Sequence, residues 1–216
     1  MVLNFKSPNY YARIVTALFL VALMVGLFCF FPPRMLSIIA GLILLEISVY
    51  EWPRLAKNQI WIWLIFPMYV VLPCLLFILL NEWGYTHLLI LLVSTAAAFD
   101  SGAYVVGTLF GRTKLCPQIS PGKTWEGVAG GYLAVLLILC ITKYFGLITK
   151  GLGFIFILAA VLSLFATLGD LSESWLKRRA GLKDSGNILP GHGGLLDRID
   201  SLLLLISLAF IFRNYL

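Results

Sequence analysis

The sequence predicts an all-α fold, a polytopic membrane bundle of about seven transmembrane helices with its N-terminus in the cytoplasm. Of its 216 residues, 61% are hydrophobic and only 12% are charged. The mean hydropathy is +0.97. Soluble domains carry about 25% charged residues, so this composition excludes a soluble globule and a disordered chain. Apolar runs near the ~20 residues that a membrane span needs recur along the chain.

Each predicted helix is an apolar run bounded by charged residues, glycine or proline. The runs cover residues 14–31, 36–52, 60–80, 86–110, 128–145, 152–169 and 199–216. The first follows Lys6 and Arg13 but ends without a small-residue cleavage site, so we expect a retained span rather than a signal peptide. The third contains Pro67 and Pro73, which predict a single kinked helix.

The basic residues predict the orientation. With the N-terminus in the cytoplasm, twelve of the 16 Lys and Arg residues fall on the inside, as the positive-inside rule requires. The net charge of +6 is therefore explained by basic residues in cytoplasmic loops or by anionic ligands. Nucleic-acid binding is not expected, because the sequence has no soluble basic module. We expect one membrane domain, residues 1–216, with N-terminal helices in 1–85 and a catalytic half in 86–216. Its cytoplasmic loops are 111–127 and 170–198.

Two acidic residues lie inside predicted spans. An ionised carboxylate there costs about 2.5–3.5 kcal/mol on insertion scales, so Asp100 must face a polar cavity, a cation or a structural partner. Glu46 raises the same alternatives, and its apolar neighbours favour a structural pair. Gly102 and Gly107 suit either helix packing or the approach of the backbone to a ligand.

The loop 111–127 carries side chains that suit phosphate. These are Arg112, Ser120, Lys123 and Thr124. The sequence Gly122-Lys123-Thr124 resembles the end of a P-loop, but position 117 is proline instead of glycine and no strand is predicted before it. We therefore reject a P-loop. The alternative to phosphate binding is that these are ordinary charges of a cytoplasmic loop.

The densest polar stretch is 170–200, which holds ten of the 26 charged residues. If 170–180 is helical, one face carries Asp170, Glu173, Ser174 and Lys177. Asp197 and Asp200 share a face at the start of the last span, where helix capping is the alternative explanation. Neighbouring carboxylates repel each other, so a divalent cation would reconcile them, and oxygen ligands suit Mg²⁺. For His192, donation to a phosphate or packing is favoured over metal binding.

This stretch resembles the signature of the phosphatidate cytidylyltransferases, also called CDP-diglyceride synthases. The matching residues run from Ser174-Trp175-Leu176-Lys177-Arg178 through Lys183-Asp184 to Pro190-Gly191-His192-Gly193-Gly194-Leu195-Leu196-Asp197-Arg198-Ile199-Asp200. Residues 100–104 and 119–127 also look like family motifs, and Tyr50-Glu51-Trp52 is a weaker match. The resemblance covers residues 45–216.

The resemblance implies that CTP and phosphatidic acid give CDP-diacylglycerol and pyrophosphate with Mg²⁺, and leaves room for a second cation. It implies Asp170 and Asp197 as the first metal ligands, and Asp100, Asp184 and Asp200 as further ones. The implied catalytic residues, which would hold phosphates, are Lys123, Lys177, Arg178, Lys183, His192 and Arg198. The implied substrate-binding residues are Tyr104, Arg112, Ser120, Thr124, Ser174, Gly193 and Gly194.

The expected partners are CTP, phosphatidic acid and membrane lipids, with room for a homodimer and without nucleic acid. The expected location is a bacterial inner membrane, with the active site facing the cytoplasm. One alternative is another membrane CTP-dependent enzyme, such as a polyprenol kinase or an ether-lipid cytidylyltransferase. A small cation transporter is the alternative from another class, but it would need acidic residues near mid-membrane. Most acids here are predicted at one membrane face.

Overall fold

A computed structural model of the chain describes Gly26 and residues 32–57, 59–186, 188 and 193–215. Within these residues six helices and one β-hairpin follow one another. They are α1 (Pro33–Leu55), α2 (Trp61–Glu82), α3 (Thr86–Phe110), β1 (Lys114–Cys116), β2 (Ser120–Thr124), α4 (Trp125–Tyr144), α5 (Leu152–Arg179) and α6 (Leu196–Phe212). Helices α1 to α5 are long and apolar enough to cross a membrane. Helix α6 has 17 residues, the lower limit for a span. The predicted all-α membrane bundle is confirmed as a class.

Most predicted span boundaries agree with the observed helices to within a few residues. The predicted span 14–31 lies outside the described residues, apart from Gly26. The helix that contains the predicted span 152–169 continues to Arg179. Polar residues end a hydropathy window without ending a helix, and the three basic residues of the last turn interact favourably with the helix dipole. The predicted loop 170–198 is therefore reduced to the connection between α5 and α6.

The predicted loop 111–127 contains the β-hairpin. Strands β1 and β2 are antiparallel, with Lys114 opposite Thr124. The expectation that no strand precedes Gly122-Lys123-Thr124 is therefore wrong. These residues lie within β2 itself instead of forming a phosphate-wrapping loop, and position 117 is proline, so a P-loop remains excluded. Thr124 caps α4, because its hydroxyl accepts a hydrogen bond from the Gly127 N–H at 3.1 Å.

Helices α1 and α2 each contain a π turn shortly before a proline. The π turns are Ile47–Glu51 and Pro67–Val71, and Pro53 and Pro73 follow them. A proline has no N–H to donate, and its ring crowds the carbonyl four residues earlier. A wider turn before each proline relieves that crowding while the helix continues. The prediction of one helix over 60–80 is confirmed, with its distortion at the prolines.

Helices α3 and α4 pack closely through small residues. A Cβ atom at Gly102 would lie 2.6 Å from the carbonyl oxygen of Gly130. A Cβ atom at Gly130 would collide with Val106, and one at Gly107 would approach Gly127. These contacts favour helix packing over ligand approach for the α3 glycines.

Gly130→Ala is expected to destabilise the fold by about 1–3 kcal/mol, because the added methyl overpacks this interface. Thermal unfolding in detergent measures the loss as a lower melting temperature. Gly153→Ala is the matched control, since a Cβ atom there meets nothing within 4 Å and alanine is the better helix former. A G130A protein that melts at the wild-type temperature would show that the close approach is dispensable.

Helices α5 and α6 contribute to both apolar cores of the bundle. One core joins them to α3 and α4, and the other joins them to α1 and α2. Where α5 crosses α6, a Cβ atom at Gly169 would lie 2.7 Å from the carbonyl oxygen of Asp200. This crossing brings the polar C-terminal part of α5 against the polar first turns of α6.

Candidate functional site

Two clusters of charged side chains lie at this end of the bundle. The Asp170 cluster comprises Asp100, Lys123, Asp170 and Asp200. The Lys177 cluster comprises Glu173, Lys177 and Asp197. Of the five predicted metal ligands, three fall in the first cluster and one in the second. The fifth, Asp184, is exposed in the connection between α5 and α6.

Four elements converge on the Asp170 cluster. Lys123 of β2 forms an ion pair with Asp170 of α5, and both side chains are partly exposed. Asp100 of α3 and Asp200 of α6 lie near enough to Asp170 for the carboxylates to repel one another. Asp200 is buried, and one of its oxygens accepts the Ser201 N–H at 2.7 Å. Three carboxylates thus lie close to Lys123, which pairs with Asp170, and Arg198 is a further cation near Asp100.

The donor set of the Asp170 cluster fits Mg²⁺. Within the described part of the chain, no three Asp, Glu, His or Cys side chains converge closely enough to enclose a metal ion by themselves. Mg²⁺ does not need such a cage, because proteins usually hold it with one or two carboxylates and leave other positions to water and substrate phosphates. Asp170 and its neighbours therefore suit a Mg²⁺ ion whose coordination a phosphate ligand completes.

The Lys177 cluster is almost closed to solvent. The Lys177 ammonium contacts Glu173, one helical turn away, and lies 2.7 Å from Asp197 Oδ1. The exposed fractions are 12% for the lysine side chain and 1% and 5% for Glu173 and Asp197. Asp197 also accepts the N–H groups of Ser185 at 3.1 Å and Gly194 at 2.8 Å. Protein donors therefore occupy the Asp197 carboxylate, and its predicted role as a metal ligand stays a prediction.

Glu51 of α1 is a site residue to which the sequence, with only the weaker match Tyr50-Glu51-Trp52, assigns no role. Its carboxylate accepts hydrogen bonds from the Ser185 hydroxyl at 2.8 Å and from the N–H groups of Leu195 at 2.6 Å and Leu196 at 2.9 Å. Together with Asp197, it holds both ends of the connection between α5 and α6. The available signal was an acidic residue at the end of an apolar run, directly before Trp-Pro. Glu173 was placed on the right helical face but was not assigned to the site.

The predicted phosphate-holding residues gather at the same end of the bundle. Arg178 donates from Nε to the Ile119 carbonyl and from Nη1 to the Leu182 carbonyl, each at 3.1 Å, and so ties the hairpin to α5. Three other cations are exposed there, namely Arg112, Lys183 and Arg198. Lys177 differs from them, because it is enclosed by two carboxylates. His192 lies outside the described residues.

The predicted substrate-binding residues have different surroundings. Tyr104 is exposed on α3, and Ser120 is partly buried in β2. Ser174 is buried, like the capping residue Thr124. Gly193 and Gly194 lie against protein groups: a Cβ atom at Gly193 would lie 2.5 Å from Asp197 Oδ2, and one at Gly194 would collide with Ser185. The two glycines therefore let the backbone approach the Lys177 cluster and Glu51.

An open apolar groove of about 590 Å³ lies between α2, α5 and α6, next to the Asp170 cluster. Its walls include Met68, Leu171 and Trp175. The Tyr69 hydroxyl, which also lines the groove, donates to the Gly169 carbonyl at 3.3 Å. Carboxylates, exposed cations and a lateral apolar groove thus meet at one end of a membrane bundle. Such a site can bind phosphates with a metal ion and admit an apolar chain from the side.

Comparison with known proteins agrees with this chemistry. The phosphatidate cytidylyltransferase of Staphylococcus saprophyticus is 48% identical over 109 residues, which cover 50% of this chain and 42% of that protein. The phosphatidate cytidylyltransferase of Bacillus subtilis is 44% identical over 131 residues, covering 61% of this chain and 48% of its own. That of Haemophilus influenzae is 49% identical over 110 residues, covering 49% and 38%.

The aligned part of this chain thus spans less than half the length of each of these curated relatives. The sequence pattern of the cytidylyltransferase family is matched by residues 9–216. That range includes the hairpin, both charged clusters and all six described helices. Because the match extends over nearly the whole sequence, this chain belongs to the cytidylyltransferase family.

Proposed function

We propose that this protein transfers the cytidylyl group of CTP to phosphatidic acid and so forms CDP-diacylglycerol and pyrophosphate. The observation that carries the proposal is the Asp170 cluster, in which three carboxylates lie close to Lys123, next to a lateral apolar groove. A metal-bound nucleotide and a lipid phosphate need these two surroundings side by side. The names of the three bacterial relatives support the same substrates.

The proposed reaction is one displacement at phosphorus. An oxygen of the lipid phosphate attacks the α-phosphorus of CTP and forms a new P–O bond. The bond from the α-phosphorus to the bridging oxygen of the β-phosphate breaks, and pyrophosphate leaves with that electron pair. A phosphate monoester is already ionised near neutral pH, so the protein needs no strong base. Positioning and neutralisation of charge supply most of the catalysis.

The residues of the site take complementary roles in this proposal. Asp170, together with Asp100 or Asp200, would hold Mg²⁺, which when bound would neutralise phosphate charge. Lys123 and the exposed cations Arg112, Lys183 and Arg198 would bind the triphosphate and the lipid phosphate. Lys177 would act indirectly, because it is buried between Glu173 and Asp197 and fixes the first turn of α6.

The proposed site faces the cytoplasm. The hairpin and the connection between α5 and α6 lie at the same end of the bundle, where the basic residues concentrate. CTP is a cytoplasmic nucleotide, so this orientation gives the site access to its donor. The expected location is the bacterial inner membrane, and association of two copies stays a prediction.

Purified protein in mixed micelles tests the proposal when it is given CTP, Mg²⁺ and one acceptor at a time. Phosphatidic acid is expected to yield CDP-diacylglycerol, identified by mass spectrometry, and chelation of Mg²⁺ is expected to abolish the product. A polyprenol acceptor is expected to remain unmodified. Formation of polyprenyl phosphate with release of CDP would instead show a kinase and overturn the proposal.

A further inference from the structure

We infer that Glu51 is a positioning residue of this site: its carboxylate, supplied by α1, fixes the first turn of α6 and thereby Asp197 and Lys177. The kinetic part of this inference rests on the proposed function. The contact itself does not, because it is a property of the folded chain. Glu51 lies 134 to 145 residues from its partners in sequence.

Helix α6 depends on Glu51 for its N-terminal cap. The residue before the helix, Leu195, offers no capping side chain. The first N–H groups of a helix lack partners within the helix and carry a partial positive charge. Glu51 supplies both acceptors, Oε1 for the N–H of Leu195 and Oε2 for the N–H of Leu196. Helix α1 thus caps α6 across the bundle.

The same carboxylate also holds the beginning of the connection between α5 and α6. The Ser185 hydroxyl donates to Glu51 Oε2 at 2.8 Å, while the Ser185 N–H donates to Asp197. Ser185 is fully buried. Because one serine joins the two carboxylates, a change at Glu51 is transmitted directly to Asp197, and Asp197 in turn holds Lys177.

The backbone around Glu51 is shaped for a carboxylate. A Cβ atom at Gly186 would lie 2.7 Å from Glu51 Oε1, and one at Gly194 would collide with the same oxygen. Glycine therefore stands on both sides of the carboxylate, where any side chain would displace it. Glu51 is the last residue of the π turn in α1 and is 1% exposed.

Hydrogen-bond chemistry explains why a carboxylate is needed. Glu51 accepts hydrogen bonds from one hydroxyl and two N–H groups, and a carboxylate only accepts. The Glu46 carboxyl also lies close to it. Glutamine has the same size but would turn an NH₂ group toward one or more of these donors. A buried donor left without an acceptor costs about 1–3 kcal/mol, so Glu51→Gln releases the start of α6.

Glu51→Gln and Glu51→Asp test this inference, with Glu82→Gln as the matched control. Glu82 also accepts a serine hydroxyl, that of Ser37 at 2.7 Å, but near the opposite end of α1. We expect E51Q to lower kcat/KM, counted per folded molecule, by about 10–100-fold. The KM for CTP is expected to rise. E51D, which keeps the acceptor, is expected to recover part of the loss, and E82Q to behave as wild type.

Amide hydrogen exchange provides the readout that is independent of turnover. The amides of Leu195 and Leu196 are expected to exchange faster in E51Q than in wild type and to be unchanged in E82Q. That result supports the contact even if the wild-type protein forms no CDP-diacylglycerol, in which case only the proposed function fails. Unchanged exchange in E51Q overturns the inference. So does a loss of activity that merely follows the loss of folded protein, with KM unchanged.

Discussion

Replacing Asp170 with asparagine is expected to lower the rate of CDP-diacylglycerol formation by at least about 100-fold, the effect of removing one preorganised electrostatic group from a reacting phosphate or carbonyl. Asp170 is the carboxylate on which Asp100, Asp200 and Lys123 converge. Asparagine keeps the size of the side chain but removes the charge that would hold Mg²⁺. Initial rates at saturating CTP and phosphatidic acid measure the effect.

A magnesium titration separates this role from a structural one. The D170N protein is expected to need more Mg²⁺ for half-maximal activity and to keep the wild-type melting temperature in detergent. Glu82→Gln removes a carboxylate at a distance from the cluster and is expected to change neither quantity. A D170N protein with near-normal rates at the wild-type Mg²⁺ concentration contradicts the assignment of Asp170.

Lys177→Met is expected to destabilise the fold by about 3–5 kcal/mol, the cost of breaking a buried ion pair by removing one partner. Lys177 is the cation between Glu173 and Asp197, and methionine would leave both carboxylates buried without it. Thermal unfolding in detergent measures the loss. Lys143→Met is the control. Lys143 lies in the last turn of α4, away from the Lys177 cluster, and its ammonium contacts the Lys150 carbonyl.

A double variant keeps this prediction testable if K177M does not fold. Adding Glu173→Gln removes one of the two uncompensated charges, so the double variant is expected to recover part of the lost stability and yield. A K177M protein with the wild-type melting temperature would show that the Lys177 cluster does not hold α5 and α6 together.

Hydropathy predicts where the helices of this bundle lie but not where each one ends. A hydropathy window reports contact with lipid, whereas a helix continues as long as its backbone hydrogen bonds are made. Helix α5 therefore extends ten residues past the predicted boundary at 169. The hairpin was missed for a related reason, because β1 has three residues and β2 has five. Strands this short carry too few residues to show a periodic pattern.

The candidate site was predicted in its residue types but not in its grouping. The shared helical face of Asp170 and Lys177 was predicted from their spacing, and α5 is helical there. Seven residues of helix separate them by about 10 Å, so they fall in different clusters. Because α6 runs antiparallel to α5, Asp200 joins the Asp170 cluster and Asp197 joins the Lys177 cluster. The weaker match Tyr50-Glu51-Trp52 points to Glu51 but not to its role, because its partners lie 134 to 145 residues away in the sequence.

The proposed transfer is tested by one turnover experiment with CTP labelled separately at its α- and γ-phosphates, phosphatidic acid and Mg²⁺. We expect the α label to enter the lipid and the γ label to appear in pyrophosphate, in equal amounts. Transfer of the γ label to lipid with release of CDP would contradict it. So would folded protein that moves neither label into lipid.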